Sequence, residues 1–145
     1  MKAIAICDIA IDEEDLSRSN LASTLVNRGI VYMREEKYDR AMKDYNRALA
    51  LMPDMPEIKI NLGAMLYHMG RFREAVEALN AGVAAENTDA RAAAFYNRAL
   101  AHERLGEVQR AYRDYRAAVA VIPGYPPAVR QLQRFSVLPA SEAGS

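Results

Sequence analysis

Apolar residues recur along this chain in short stripes at helical spacing, and the stripes come in pairs. Leu25, Gly29 and Tyr32 form one, Ala41, Tyr45, Ala48 and Leu49 the next, with polar residues between and around them. The spacing predicts two amphipathic helices that pack antiparallel. At the start, Ala3, Ile4, Cys7, Ala10 and Ile11 make a further stripe of the second kind. At the end, Val129, Leu132 and Phe135 face one way while Arg130, Gln131, Gln133 and Arg134 face the other. Pro126 and Pro127 suit the first turn of that last helix.

The paired pattern repeats. TLVNRGIVYMREEKYDRAMKDYNRALALMP (24–53) aligns with IKINLGAMLYHMGRFREAVEALNAGVAAEN (58–87), so that Gly29 falls on Gly63, Tyr38 on Phe72 and Ala41 on Ala75, each 34 residues apart. A third copy (93–123) brings Asn97, Ala99, Gly106, Ala111, Tyr115, Ala118 and Pro123 into the same register after a two-residue insertion. The units occupy residues 22–55, 56–91 and 92–125, preceded by a half-unit with an acidic linker (1–21) and followed by a capping helix (126–135) and a tail (136–145) expected to be disordered. Small residues at Gly29, Gly63, Ala99, Ala41, Ala75 and Ala111 sit where paired backbones come closest. Helix axes lie about 8 to 10 Å apart, and a large side chain at such a contact costs roughly 1–3 kcal/mol. Tyr32, Tyr38, Phe72 and Tyr115 are expected to be core or inter-repeat packing, because a helical pair cannot bury both faces until a neighbour stacks on it.

Counting Ala22 as position 1 of the first unit, Gly29, Tyr32, Ala41, Tyr45, Ala48 and Pro53 fall at positions 8, 11, 20, 24, 27 and 32. This pattern resembles the tetratricopeptide repeat. The first and third units match it well; the second departs, with Leu66, Leu79 and Gly82 at positions 11, 24 and 27 and Glu86-Asn87-Thr88-Asp89 in place of a Pro turn. The resemblance implies an all-α fold of tandem helix-turn-helix repeats in a right-handed superhelix, with the first helix of each unit (helix A) lining a concave face. The stripe at Ala3–Ile11 then reads as the second helix (helix B) of an incomplete repeat, which points to a natural chain that extends upstream. In that register Cys7 takes an aromatic core position, either as a buried inert thiol or as the partner of an upstream cysteine. Ser19 or Asn20 is expected to cap the next helix.

In the family, helix A positions 2, 5, 6, 9, 12 and 13 point inward. Here they are Ser23, Val26, Asn27, Ile30, Met33 and Arg34; then Glu57, Ile60, Asn61, Ala64, Tyr67 and His68; then Ala93, Tyr96, Asn97, Leu100, Glu103 and Arg104. Position 6 is Asn in all three. A side-chain amide offers one acceptor and two donors, so Asn27, Asn61 and Asn97 can bond the main chain of a passing peptide whatever its sequence. Successive A helices about 10 Å apart match three extended residues at roughly 3.3 Å each. A similar device holds peptides in O-linked N-acetylglucosamine transferase and armadillo proteins. The competing reading is that these asparagines satisfy backbone groups between helices. Arg34 and Arg104 with Tyr67, Tyr96 and His68 give the trough a cationic, aromatic-flanked character that suits an acidic or C-terminal peptide segment. The carboxylate clamp by which some family members grip heat-shock chaperone tails needs Lys and Asn at positions 5 and 9 of the first repeat and Lys and Arg at positions 2 and 6 of the third. Val26, Ile30, Ala93 and Asn97 stand there, which disfavours that ligand.

Composition narrows the alternatives. Nineteen Lys and Arg balance nineteen Asp and Glu, so no net field attracts nucleic acid or anionic lipid. A single cysteine excludes an internal disulfide and a multi-cysteine metal site, and no cofactor is expected. His68 and His102 have no nucleophile beside them in sequence, which points away from catalysis. Asp8 interrupts the apolar start, so no signal peptide is read and cytoplasm is the default, with the periplasm open if an upstream signal has been lost. Abundant Arg and Ala with little Lys associate with a high-GC bacterial source. The leading expectation is a non-catalytic adaptor for a protein or peptide; the alternatives are a weakly self-associating structural module using its open N-terminal end, and an accessory domain of a longer enzyme.

Overall fold

The computed structural model describes residues 2–13 and 16–135; the tail expected to be disordered (136–145) and part of the acidic linker lie outside them. Eight helices run through the described residues: α1 (Lys2–Glu13), α2 (Arg18–Arg34), α3 (Tyr38–Leu51), α4 (Pro56–His68), α5 (Phe72–Gly82), α6 (Thr88–Arg104), α7 (Val108–Val121) and α8 (Pro126–Phe135). Each packs on the next, and α2 touches α4 and α4 touches α6. The A helices α2, α4 and α6 thus stack side by side, with α3, α5 and α7 behind them, as tandem helical repeats. None of these helices is long and apolar enough to cross a membrane.

The helix ends follow local chemistry. Gly70 and Gly106 make the turns after α4 and α6 with φ of 78° and 76°, a left-handed conformation that costs glycine nothing. Glu36 holds the same conformation after α2, at φ 59°. Two helices begin earlier than the repeat register suggests. Ser17, not Ser19 or Asn20, caps α2, its hydroxyl accepting from the Asn20 N–H at 3.2 Å. The Glu86–Asp89 stretch is no simple turn, since Asn87 Oδ1 accepts from the Ala90 N–H at 2.9 Å and starts α6 at Thr88.

The small residues sit where the helices meet. A Cβ on Gly29 would come 2.8 Å from Tyr45 Cε1, and one on Gly63 2.5 Å from Leu79 Cγ. Ala41, Ala75, Ala99 and Ala111 are fully buried. Tyr32, Tyr45 and Met65 share one cluster, Leu66, Val76 and Leu79 another, Tyr115 and Phe135 a third. Ile4 and Ile11 of α1 pack against the first repeat, while Ile6 and Ile9 face outward at 67% and 54% exposure. Cys7 is half-buried, and burial raises its thiol pKa.

Candidate functional site

The A helices carry the candidate groove. Asn27 is exposed on α2 and lines a pocket of about 300 Å³ together with Val26, Ser23, Met55, Glu57 and Ile58, at the step from α2 to α4. Asn61 is half-buried on α4, where its Nδ2 donates to the Glu57 carbonyl at 2.9 Å. That bond to its own helix leaves the Asn61 Oδ1 for a further donor. Asn97 is half-buried on α6.

Tyr67, His68 and Arg104 come together around a residue that the pattern assigns to packing. The Phe72 ring lies 5.5 Å from that of Tyr67, which meets His68 edge-on at 5.7 Å, and the Arg104 guanidinium sits 4.6 Å over Phe72. Such a cation over an aromatic face is held by the ring quadrupole. Phe72 opens α5, so it reaches both A helices from behind; its alignment with Tyr38 gives no sign of this. Arg34 is exposed in the last turn of α2.

Three of the inward positions are built differently from the expectation. Ile60 is buried at 8% exposure, because Gly82 leaves a space into which its side chain fits. A Cβ on Gly82 would come 2.4 Å from Ile60 Cγ1. Tyr96 packs, tilted against Tyr115 at 5.9 Å and edge-on to Tyr125 at 6.3 Å. Glu103 is occupied: Oε1 accepts from the Tyr115 hydroxyl at 2.5 Å and Oε2 from Arg134 at 2.7 Å.

On the helix B side lies a feature that sequence reasoning misses. Arg28 donates to both carboxylate oxygens of Asp44, at 2.8 and 2.7 Å, and to Asp8 at 2.6 Å, tying α1, α2 and α3 together. These bonds raise the Arg28 pKa further, the Asp44 bond most of all. Seventy residues on, Arg98 repeats the clasp on Asp114 at 2.7 Å twice, and reaches Asn80 at 3.0 Å. His102 joins this second clasp: Nδ1 lies 2.9 Å from Glu107 and Nε2 3.7 Å from Asp114. Bonds from Arg73 first, and then His102, lower the Glu107 pKa. His102 is therefore a buried bracket between α6 and the start of α7, and Arg73 of α5 reaches it only through Glu107. The signal available was the recurrence of Arg at position 7 with Asp at position 23, which Leu62 and Ala78 interrupt in the middle repeat.

Comparison with known proteins places this geometry. Tetratricopeptide-repeat family models match residues 32–99 and 92–125. The first tetratricopeptide domain of Spaghetti (RPAP3), bound to the HSP90 peptide SRMEEVD, superposes with a TM-score of 0.74 at 24% identity, over 81% of this chain and 92% of that one. The second such domain of human RPAP3, in complex with the HSP70 peptide SGPTIEEVD, gives 0.73 at 23% identity over 81% and 97%. MamA gives 0.69 at 21% over 86% and 70%. At these identities the likeness is one of fold. No curated protein sequence matches.

Proposed function

The chain belongs to the tetratricopeptide-repeat family, and from that premise we propose that it is a non-catalytic scaffold whose groove holds an extended peptide through Asn27, Asn61 and Asn97. The observation that carries this reading is the pocket at the α2–α4 step, where exposed Asn27 stands beside apolar Val26, Met55 and Ile58. An amide next to an apolar recess offers a main-chain bond and a seat for one side chain. Arg34 and the Arg104–Phe72–Tyr67 cluster favour an acidic or C-terminal segment. The RPAP3 domains bind chaperone peptides ending in EEVD. Only the class of partner is carried over, because Val26, Ile30, Ala93 and Asn97 occupy the positions that the carboxylate clamp needs. His102 supports the non-catalytic reading, its ring being committed to Glu107 and Asp114.

The test is capture of partners from a bacterial lysate by this chain and by its Asn27→Ala, Asn61→Ala, Asn97→Ala variant, both shown to be helical by circular dichroism. Loss of one amide bond costs roughly 0.5–1.5 kcal/mol, so the triple variant should lose a micromolar partner. Equal recovery, or none, sinks the reading.

The exposed Ile6 and Ile9 favour a second reading, self-association through α1. Sedimentation across a range of concentrations checks it. A mass that rises in the native chain and not in an Ile6→Glu, Ile9→Glu variant supports it; a constant monomer mass removes it.

A further inference from the structure

Resting on the groove reading above, we propose that α8 is not only a cap but the fourth rung of the groove, with Gln131 bonding the main chain of the same extended peptide that Asn27, Asn61 and Asn97 hold. Gln131 lies 34 residues after Asn97, the interval that separates Asn27 from Asn61. At two positions α8 is buried as α4 and α6 are, although its Gln133 is exposed where the A helices bury Gly29, Gly63 and Ala99. Ile58 of α4, Ala94 of α6 and Ala128 of α8 are buried at one position, and Met65, Ala101 and Phe135 are buried two turns later. Both α4 and α8 also begin with a proline, Pro56 and Pro126.

The side chain is held ready. Arg134 donates to Glu103 Oε2 at 2.7 Å across α6 and α8, and it also donates to Gln131 Oε1. Glu103 is in turn fixed by the Tyr115 hydroxyl, whose ring is fully buried. A chain of contacts thus runs from the core to the Gln131 amide. It occupies the amide oxygen and leaves the two N–H donors for an acceptor, which a peptide carbonyl supplies. Asn61 is complementary, since one of its Nδ2 hydrogens is engaged by the Glu57 carbonyl while its Oδ1 is left to accept. An extended strand presents carbonyls and N–H groups in alternation, so an accepting rung and a donating rung can serve one main chain. Three steps of about 10 Å correspond to a site for roughly ten to twelve peptide residues.

The experiment uses the whole chain and a twelve-residue peptide selected on it from a displayed random library, labelled and followed by fluorescence anisotropy. Gln131→Ala and Gln131→Glu should each weaken binding about three- to tenfold. The glutamate keeps a partner for Arg134 and lacks the donors. Gln131→Asn, the residue of the other rungs, should stay within about twofold. Of the two nine-residue truncations of the peptide, one should bind the native chain as weakly as the full peptide binds Gln131→Ala, and should lose nothing further in that variant. Equal binding by the native chain, Gln131→Ala and Gln131→Glu overturns the fourth rung. If the triple asparagine variant fails in the same assay, the three-rung groove survives alone. If the triple variant binds normally, or the library yields no binder, both are discarded.

Discussion

The Tyr115 hydroxyl donates to Glu103 at 2.5 Å, whereas Tyr45, at the same position of the first repeat, buries its hydroxyl with no partner among the described residues. The difference lies one helix away. Met33 stands in α2 where Glu103 stands in α6, and a thioether is a poor acceptor. A buried hydroxyl without a bond is a burden, while one that is bonded leaves its partner stranded on removal. Tyr45→Phe is therefore expected to be neutral or to stabilise by up to about 1 kcal/mol, and Tyr115→Phe to destabilise by about 1–2 kcal/mol. Urea unfolding of the two variants checks this; equal effects would refute the contrast.

The same two phenols make the fold sensitive to alkali. Burial, with the Asp44 charge adding to it, pushes the Tyr45 hydroxyl up to about 12. Burial first and then the bond to Glu103 push Tyr115 higher still. Both groups hold their protons more tightly when folded, so their contribution is complete below the ordinary tyrosine pKa of about 10 and is lost as the pH rises through the folded values. Tyrosinate absorbance should therefore rise in two steps, the later one coincident with loss of helical circular dichroism. A single step near pH 10 with the helices intact would contradict it.

Asp44 and Asp114 are buried beside their arginines, at 5% and 6% exposure. Removing one partner of such a pair strands the other. Asp44→Ala should cost about 2–4 kcal/mol, and Arg28→Leu added to it should restore most of the loss. The middle repeat already shows the apolar solution, with Leu62 and Ala78 at the corresponding positions. Thermal melts of the single and double variants decide; a double variant worse than Asp44→Ala would mean that Arg28 acts chiefly through Asp8.

Glu36 holds a positive φ where the other two repeats use Gly70 and Gly106. A side chain in that region is strained against its own carbonyl. Glu36→Gly should stabilise by about 1 kcal/mol, partly offset by the freer unfolded chain. An unchanged or lower melting temperature would show that the offset wins.

How much of this is legible in the sequence depends on whether a residue acts within its own helix pair. Gly29 against Tyr45 and Gly63 against Leu79 are local contacts that recur every 34 residues, and the alignment exposes them. Ser17 lies in the linker before the first unit and Asn87 stands where the first repeat has Pro53, so the early starts of α2 and α6 are not announced by the repeat pattern. Ile60 leaves the groove only because Gly82, twenty-two residues on, opens a space, and helical periodicity carries no information about such a pair. The arginine clasps join residues sixteen apart in sequence, and the middle repeat breaks their recurrence. Glu103 and Tyr96 were legible as inward positions, but not as groups already in use.

Arg28 fastens α1, α2 and α3 into one trio, and Arg98 fastens α5, α6 and α7 into another. At the boundary of α3 and α4, the corresponding places hold Asn46, which is exposed, and Leu62. The arginine clasps thus bind α1–α3 and α5–α7, and α4 lies between the two trios without a clasp of this kind among the described residues. Between the two trios, α3 meets α4 through Ala48, Leu49, Ile58 and their neighbours, beside the recess that Asn27 overlooks.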